Sequence, residues 1–144
     1  MDMIQQFSVF VENKQGKMAE LTRLIADAGI DLRSLSLADT RDFGILRIIV
    51  NNPDKTDALL SENGWTFKVT PVIGVKVPDV PGGVATVLET LDRANVNVEY
   101  MYAFVNRKPG EADTIFRVDD DARALDALSA AGIEIVTPAE AYGL

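Results

Sequence analysis

Two short loops hold the residues best suited to chemistry. Val77-Pro78-Asp79-Val80-Pro81-Gly82-Gly83-Val84 leads from an alternating apolar segment into a helical pattern, and Val11-Glu12-Asn13-Lys14-Gln15-Gly16-Lys17-Met18 stands at the equivalent place 66 residues earlier. Glycine at a helix entrance lets another backbone or a ligand come close. The first turn of a helix leaves N–H groups unpaired and carries a positive partial charge, which suits a carboxylate. A polar side chain just before the turn, Asn13 or Asp79, can accept from an ammonium, and the start of the next strand supplies another, Asp31 or Asn97. A carboxylate-binding turn beside an ammonium-binding side chain describes a site for an amino acid. The same residues also have a purely local reading, in which Asp79 and Asn13 cap turns while Gly82 and Gly16 reverse the chain.

Other residues offer less. The chain has no cysteine and no histidine, so disulfides, soft zinc sites, histidine-ligated haem and nucleophilic schemes built on Cys or His are excluded by inventory. No nucleophile elbow, phosphate-binding loop or dinucleotide fingerprint is present, which argues against an enzyme and leaves no catalytic residue to name. Asp119-Asp120-Asp121 could hold a hard cation, but a solvated turn capping a helix explains it more simply, so no metal or other cofactor is expected. Tyr100 and Tyr102 share a strand face, as packing residues or as part of a ligand's wall. Trp65 reads as packing at a strand start. Lys14 and Lys17 flank the first loop, either solvated or facing a ligand carboxylate.

The elements that would carry these loops come in two copies. With an offset of 66, Phe7, Val9, Val11 and Gly16 fall on Ile73, Val75, Val77 and Gly82, and Leu21, Ile25 and Ala28 fall on Val87, Leu91 and Ala94. The offset becomes 68 after a two-residue insertion near Arg107-Lys108-Pro109-Gly110, at a hairpin tip where it is easily tolerated. Beyond it, Ile48, Leu60 and Gly64 fall on Phe116, Leu128 and Gly132. Gln5–Val11 alternates as a strand, and Met18, Leu21, Ile25 and Ala28 make one stripe of a helix over Lys17–Ala28. Strands come next at Ile30–Leu37 and Ile45–Val50, then a helix from Pro53 that Gly64 closes, then a strand at Trp65–Val69. The second copy places strands near 72–77, 96–104, 112–118 and 133–137, with helices near 83–94 and 121–131.

Strand, helix, strand, strand, helix, strand, twice over, gives an α+β fold of two tandem ferredoxin-like βαββαβ units, residues 1–71 and 72–144. Each unit has two helices on one face of four antiparallel strands. The other face carries Ser8, Phe10, Ile45, Arg47 and Ile49 in the first copy, and Lys76, Ile115 and Arg117 in the second. Two readings of that face stand: scattered surface residues, or a face covered by a second chain. The apolar fraction of 47% suffices for a core. A formal charge of −8 with no basic stripe argues against nucleic acid. No stretch approaches the ~18 apolar residues of a membrane helix, and the first residues do not read as a targeting signal, so a cytoplasmic protein without a membrane partner is expected.

These residues resemble the ACT-domain family in its tandem form. The similarity rests on Asp79-Val80-Pro81-Gly82-Gly83-Val84, then Val87-Leu88 and Leu91, then Ala94-Asn95-Val96-Asn97-Val98. The first copy matches through Glu12-Asn13-Lys14-Gln15-Gly16, Leu21, Leu24-Ile25 and Ala28-Gly29-Ile30-Asp31-Leu32. It departs at Gln15, where the family usually has proline. The resemblance covers residues 3–138. It implies a regulatory module that binds an amino acid without catalysis, acting on a partner enzyme and assembling as a homodimer. It also implies two units side by side in one eight-stranded antiparallel sheet with the helices on one face, and ligands at the seam. Carried over by position, the contacts are Asn13, Gln15, Gly16, Lys17, Met18 and Asp31 in the first copy. In the second they are Asp79, Val80, Pro81, Gly82, Gly83, Val84 and Asn97. The alternative is a ligand-independent structural subunit of an enzyme complex.

Overall fold

A computed structural model describes residues 3–38, 41–105 and 109–143. In chain order these residues form β1 (Ile4–Glu12), α1 (Lys17–Asp27), β2 (Leu32–Ala38), β3 (Phe43–Val50), α2 (Pro53–Glu62), β4 (Phe67–Val75), α3 (Gly83–Arg93), β5 (Val98–Ala103), β6 (Thr114–Val118), α4 (Asp121–Ala130), β7 (Ile135–Val136) and α5 (Pro138–Tyr142). The two α+β copies are therefore present, with antiparallel strands throughout. Asn52 and Asp120 cap α2 and α4 by accepting from the N–H groups of Lys55 and Arg123. Asp119 accepts from Asn97 N–H at 2.9 Å, and Asp121 faces Arg117 at 3.7 Å, so each residue of the triple aspartate has a local partner.

The join between the copies departs from the eight-strand picture. The strands expected at 65–69 and 72–77 are one continuous β4, so the sheet has seven strands among the described residues. The first part of β4 pairs with β1, from Val9↔Phe67 to Ile4↔Val72. Its last residues pair with β6 (Ile73↔Phe116) and β7 (Gly74↔Val136). Pro71, which has no N–H to donate, stands just before this change of partner, where a missing ladder donor costs least. Of the residues around the insertion, Arg107 and Lys108 lie outside the described residues.

Alternation along the strands separates two kinds of core. Phe7, Val9, Val11, Leu46, Ile48 and Val50 face α1 and α2, where Leu21, Ile25 and Leu60 meet them. Ile73, Val75, Val77, Phe116 and Val118 pack equivalently against Val87, Leu91, Ala124 and Leu128. The opposite faces of the two halves turn toward each other: Ile4, Ile49, Val72, Ile115 and Val136 form a third core with Ala141 of α5. The sheet, in the order β2-β3-β1-β4-β6-β5, curls until β5 returns to β2. That closure is a Ser34↔Phe104 bridge, with Val105 N–H donating to Arg33 O at 3.2 Å and Ser34 Oγ to Ala103 O at 2.7 Å. Part of the face read from sequence as open is thus covered within the chain: Ile49 and Ile115 are fully buried, whereas Phe10 stays exposed. Curling removes two apolar faces from water at once, which two flat units side by side would leave to a second chain.

Candidate functional site

The two loops found in the sequence each border a cavity, and the cavities are equivalent under the repeat. The first, of about 500 Å³, is lined in part by Phe10, Lys17, Glu20, Phe43, Gly64 and Trp65. The second, of about 480 Å³, is lined in part by Lys76, Gly83, Thr86, Glu111, Gly132 and Ile133, the residues at the corresponding positions. Each lies where a strand ends, a helix begins, a hairpin tip folds over and the last strand of the unit starts.

The second loop supplies more of its cavity's lining than the first loop does. Val80, Pro81, Gly82 and Gly83 all line it. The turn is tied to the hairpin by Asp79 N–H donating to Gly110 O at 3.1 Å and Ala112 N–H donating to Val77 O. Gly82 adopts φ 87°, which a side chain disfavours, and no side chain caps the helix that it starts. Gly83 is required for a different reason. A Cβ there would lie 2.1 Å from Pro78 O. Among the described residues the N–H groups of Val84 and Ala85 have no acceptor, since Gly83 N–H bonds Val80 O and Thr86 N–H bonds Gly82 O. Across the cavity, Oε2 of Glu111 is buried and has no hydrogen-bond partner. Lys76 is neutralised from the side, by Glu140 at 2.9 Å and Glu134 at 3.6 Å. The hydrogen bond to Glu140 raises the Lys76 pKa and lowers that of Glu140. A helix start and an acid that line one cavity can hold opposite ends of a zwitterion.

The first cavity offers different chemistry. Met18 and Ala19 have free N–H groups in the same way, but Lys17 replaces the bare Gly83 and Phe43 replaces Glu111. Lys17 pairs with Glu20 at 3.4 Å, and Lys14 with Glu12 at 3.0 Å. Asn13 and Gln15 are exposed on this loop. The described residues here place no acid opposite the helix start equivalent to Glu111.

Asp31 and Asn97 stand elsewhere. α1 has 11 residues, so Asp31 is separated from Gly16 by a helix of about 16 Å, and Asn97 is separated from Gly82 in the same way by α3. Asp31 N–H donates to Asn51 Oδ1 at 2.9 Å, and Asn97 N–H to Asp119 Oδ1 at 2.9 Å, pinning the start of β2 and β5 to the end of the neighbouring strand. The two loops are also apart. They stand at opposite ends of β4, whose nine residues span about 30 Å. Within one chain they do not share a seam. Sequence reasoning missed Lys76, Thr86, Glu111 and Ile133 as cavity residues. The signal for Glu111 was the hairpin itself, because a tip of that length folds back over the end of the first strand, as the Pro78↔Glu111 bridge records.

The curled antiparallel sheet with helix pairs outside it defines a two-unit α+β protein built on ferredoxin-like halves. Residues 2–141 match the family model described as an ACT domain pair, and the chain belongs to that family, whose fold is a regulatory one. It is similar to a protein of solved structure from Bacteroides thetaiotaomicron, at 35% identity and a TM-score of 0.92, covering 99% of this chain and 97% of that one. The regulatory subunit of aspartate kinase from Thermus thermophilus, in its ligand-free form, shares the fold at 16% identity and a TM-score of 0.61, covering 91% of this chain and 93% of that one. A structure of aspartokinase alpha and beta subunits does so at 18% identity and a TM-score of 0.63, covering 99% and 95%. No curated protein matches the chain. No helix among the described residues is long and apolar enough to cross a membrane.

Proposed function

We propose that this chain is a non-catalytic sensor of a free amino acid, with its principal site in the cavity beneath the Gly82-Gly83 turn. One observation carries the reading: the Gly82-Gly83 start of α3, with its first-turn amides, and Glu111, whose Oε2 has no partner among the described residues, border one cavity. The amides take the ligand carboxylate and Glu111 takes its ammonium. Val80, Pro81, Val87 and Ile133 surround the ligand side chain, which favours a small or apolar amino acid. Asp79 fixes the turn. The first cavity, lined by Lys17 of the loop that carries Asn13, Gln15, Gly16 and Met18, is a weaker or differently selective site because Phe43 stands where Glu111 does. Asp31 and Asn97 act on ligand only if another chain brings them to a loop, as the homodimer proposed for this family member would allow. The output passes to a regulated enzyme in the cytoplasm; the similarity to an aspartate kinase regulatory subunit supports this kind of role. Binding is read by calorimetry with each common amino acid. Saturable binding that Glu111→Gln weakens at least tenfold, the loss expected for a charged hydrogen bond, supports the proposal.

A second reading, a ligand-independent subunit, draws on exposed apolar residues where β2 meets β5: Leu35, Leu37 and Val105 are 44%, 52% and 58% exposed. Tight association with a partner enzyme, unchanged by any amino acid, would favour it.

A further inference from the structure

The inner face of the curled sheet carries a row of polar side chains beside the third core. Cross-strand partners project from the same side of a sheet. The register aligns Ser36↔Arg47, Arg47↔Ser8 and Ser8↔Lys68 across β2, β3, β1 and β4, so one row reads hydroxyl, guanidinium, hydroxyl, ammonium. The Arg47 guanidinium lies 3.7 Å over the Tyr100 ring. It has no carboxylate partner among the described residues, and its Nε is buried without an acceptor. Gln6, fully buried, donates from Nε2 to both Ser8 Oγ (3.1 Å) and the Tyr100 hydroxyl (2.7 Å). With those two oxygens already accepting, their own hydrogens are free to donate outward. Tyr102 donates to Gln6 Oε1 and so fixes which way the amide points.

In a chain with 22 acidic and 14 basic residues, this row holds two cations and no acid. The carboxylates at its borders are taken, Glu12 by Lys14 and Glu99 by Arg117. Exposure along the inner face of β1 rises from Gln6 at 0% through Ser8 at 9% to Phe10 at 38%, so the row stands at the mouth of the ring. The next row outward is apolar: Phe10 pairs with Ile45. Rows on one face are two residues, about 7 Å, apart, the distance from a carboxylate to a compact apolar body.

We propose that this mouth binds a small organic monocarboxylate that lacks an ammonium group. Arg47, Lys68 and the hydroxyls of Ser8 and Tyr100 hold the carboxylate, and Phe10 and Ile45 cover the apolar body. With no carboxylate to take an ammonium, the site disfavours α-amino acids; it shares Phe10 with the first cavity and no residue with the cavity beneath Gly82-Gly83. The test is calorimetry on the full chain with 3-phenylpropanoate, its neutral amide and inorganic phosphate. The acid should bind saturably, with the amide and phosphate each at least tenfold weaker, because only the acid presents both a charge and an apolar body. Arg47→Gln should weaken the acid by about tenfold or more. Lys68→Gln changes an exposed side chain without risk to the fold and should weaken it severalfold. Glu111→Gln should leave it unchanged, which separates this site from the amino-acid site. Equal binding of acid and amide, phosphate binding as tightly as the acid, no saturable binding of the acid, or undiminished affinity in the Lys68→Gln variant would overturn the proposal.

Discussion

At the scale of the residue, the two glycines after Pro81 do separate jobs. Gly82 supplies a left-handed φ, whereas Gly83 supplies empty space beside Pro78 O. Gly83→Ala forces the turn off the strand end, and unfolding by urea should show a loss of about 1–3 kcal/mol, the usual cost of overpacking. It should also abolish ligand binding, because the amides of Val84 and Ala85 move with the turn. The loop residues were legible in the sequence because proline and glycine announce a turn and the apolar stripe after them announces a helix. Glu111 and Lys76 were not. They reach the cavity from a hairpin tip and a strand end, and a single sequence does not print which chain segments fold over one another. Asp31 and Asn97 were legible as strand starts, and their backbone N–H and C=O groups tie those starts to the ends of the neighbouring strands.

At the scale of the element, helix periodicity and strand alternation located the four long helices and the main strands, and the join and the tail escaped. Placing separate strands at 65–69 and near 72–77 divided β4, which the sheet keeps continuous by changing partners near Pro71. α5 was signalled by Thr137-Pro138-Ala139-Glu140, a capping box with proline at the first helical position, but its five residues are too few to show a period. α5 closes one end of the ring: Ala141 is buried in the third core, and Tyr142 Oη accepts from Gln5 N–H at 2.9 Å. Glu140 both completes the cap and holds Lys76. Its pKa is lowered, first by the hydrogen bond from Lys76. The folded carboxylate is therefore favoured. Its contribution is fully present above the ordinary glutamate value of 4.5 and is lost as pH falls through the lower folded value. Glu140→Gln should cost about 1 kcal/mol at pH 7. The gap from the unsubstituted chain should close in thermal melts taken progressively below that value.

At the scale of the molecule, the two copies are one body because their inner faces meet. The expectation of tandem ferredoxin-like units came from the repeat and holds. The curl did not follow from it, since a sheet face that is apolar along Ile4, Ile49 and Ile115 can be covered by its own second half or by another chain, and alternation is the same in both cases. The polar seam beside that core is built around Gln6. Burial pushes the Tyr102 hydroxyl well above the ordinary tyrosine range, so it remains a donor to Gln6 at any working pH. Tyr102→Phe leaves a buried amide oxygen without its partner. The expected loss is about 1–3 kcal/mol by chemical denaturation, with the two halves still unfolding in one transition.

The central claim is that the cavity beneath Gly82-Gly83 senses a free amino acid. Thermal unfolding of the full chain against each common amino acid at millimolar concentration, repeated with Glu111→Gln, tests it most directly. A ligand at 100 times its dissociation constant adds about 2.7 kcal/mol, which for a chain of this size raises the midpoint by roughly 5–10 °C. The account predicts such a rise for one amino acid or a few closely related ones, and its loss in Glu111→Gln. No rise with any amino acid, or a rise that Glu111→Gln leaves intact, would contradict it.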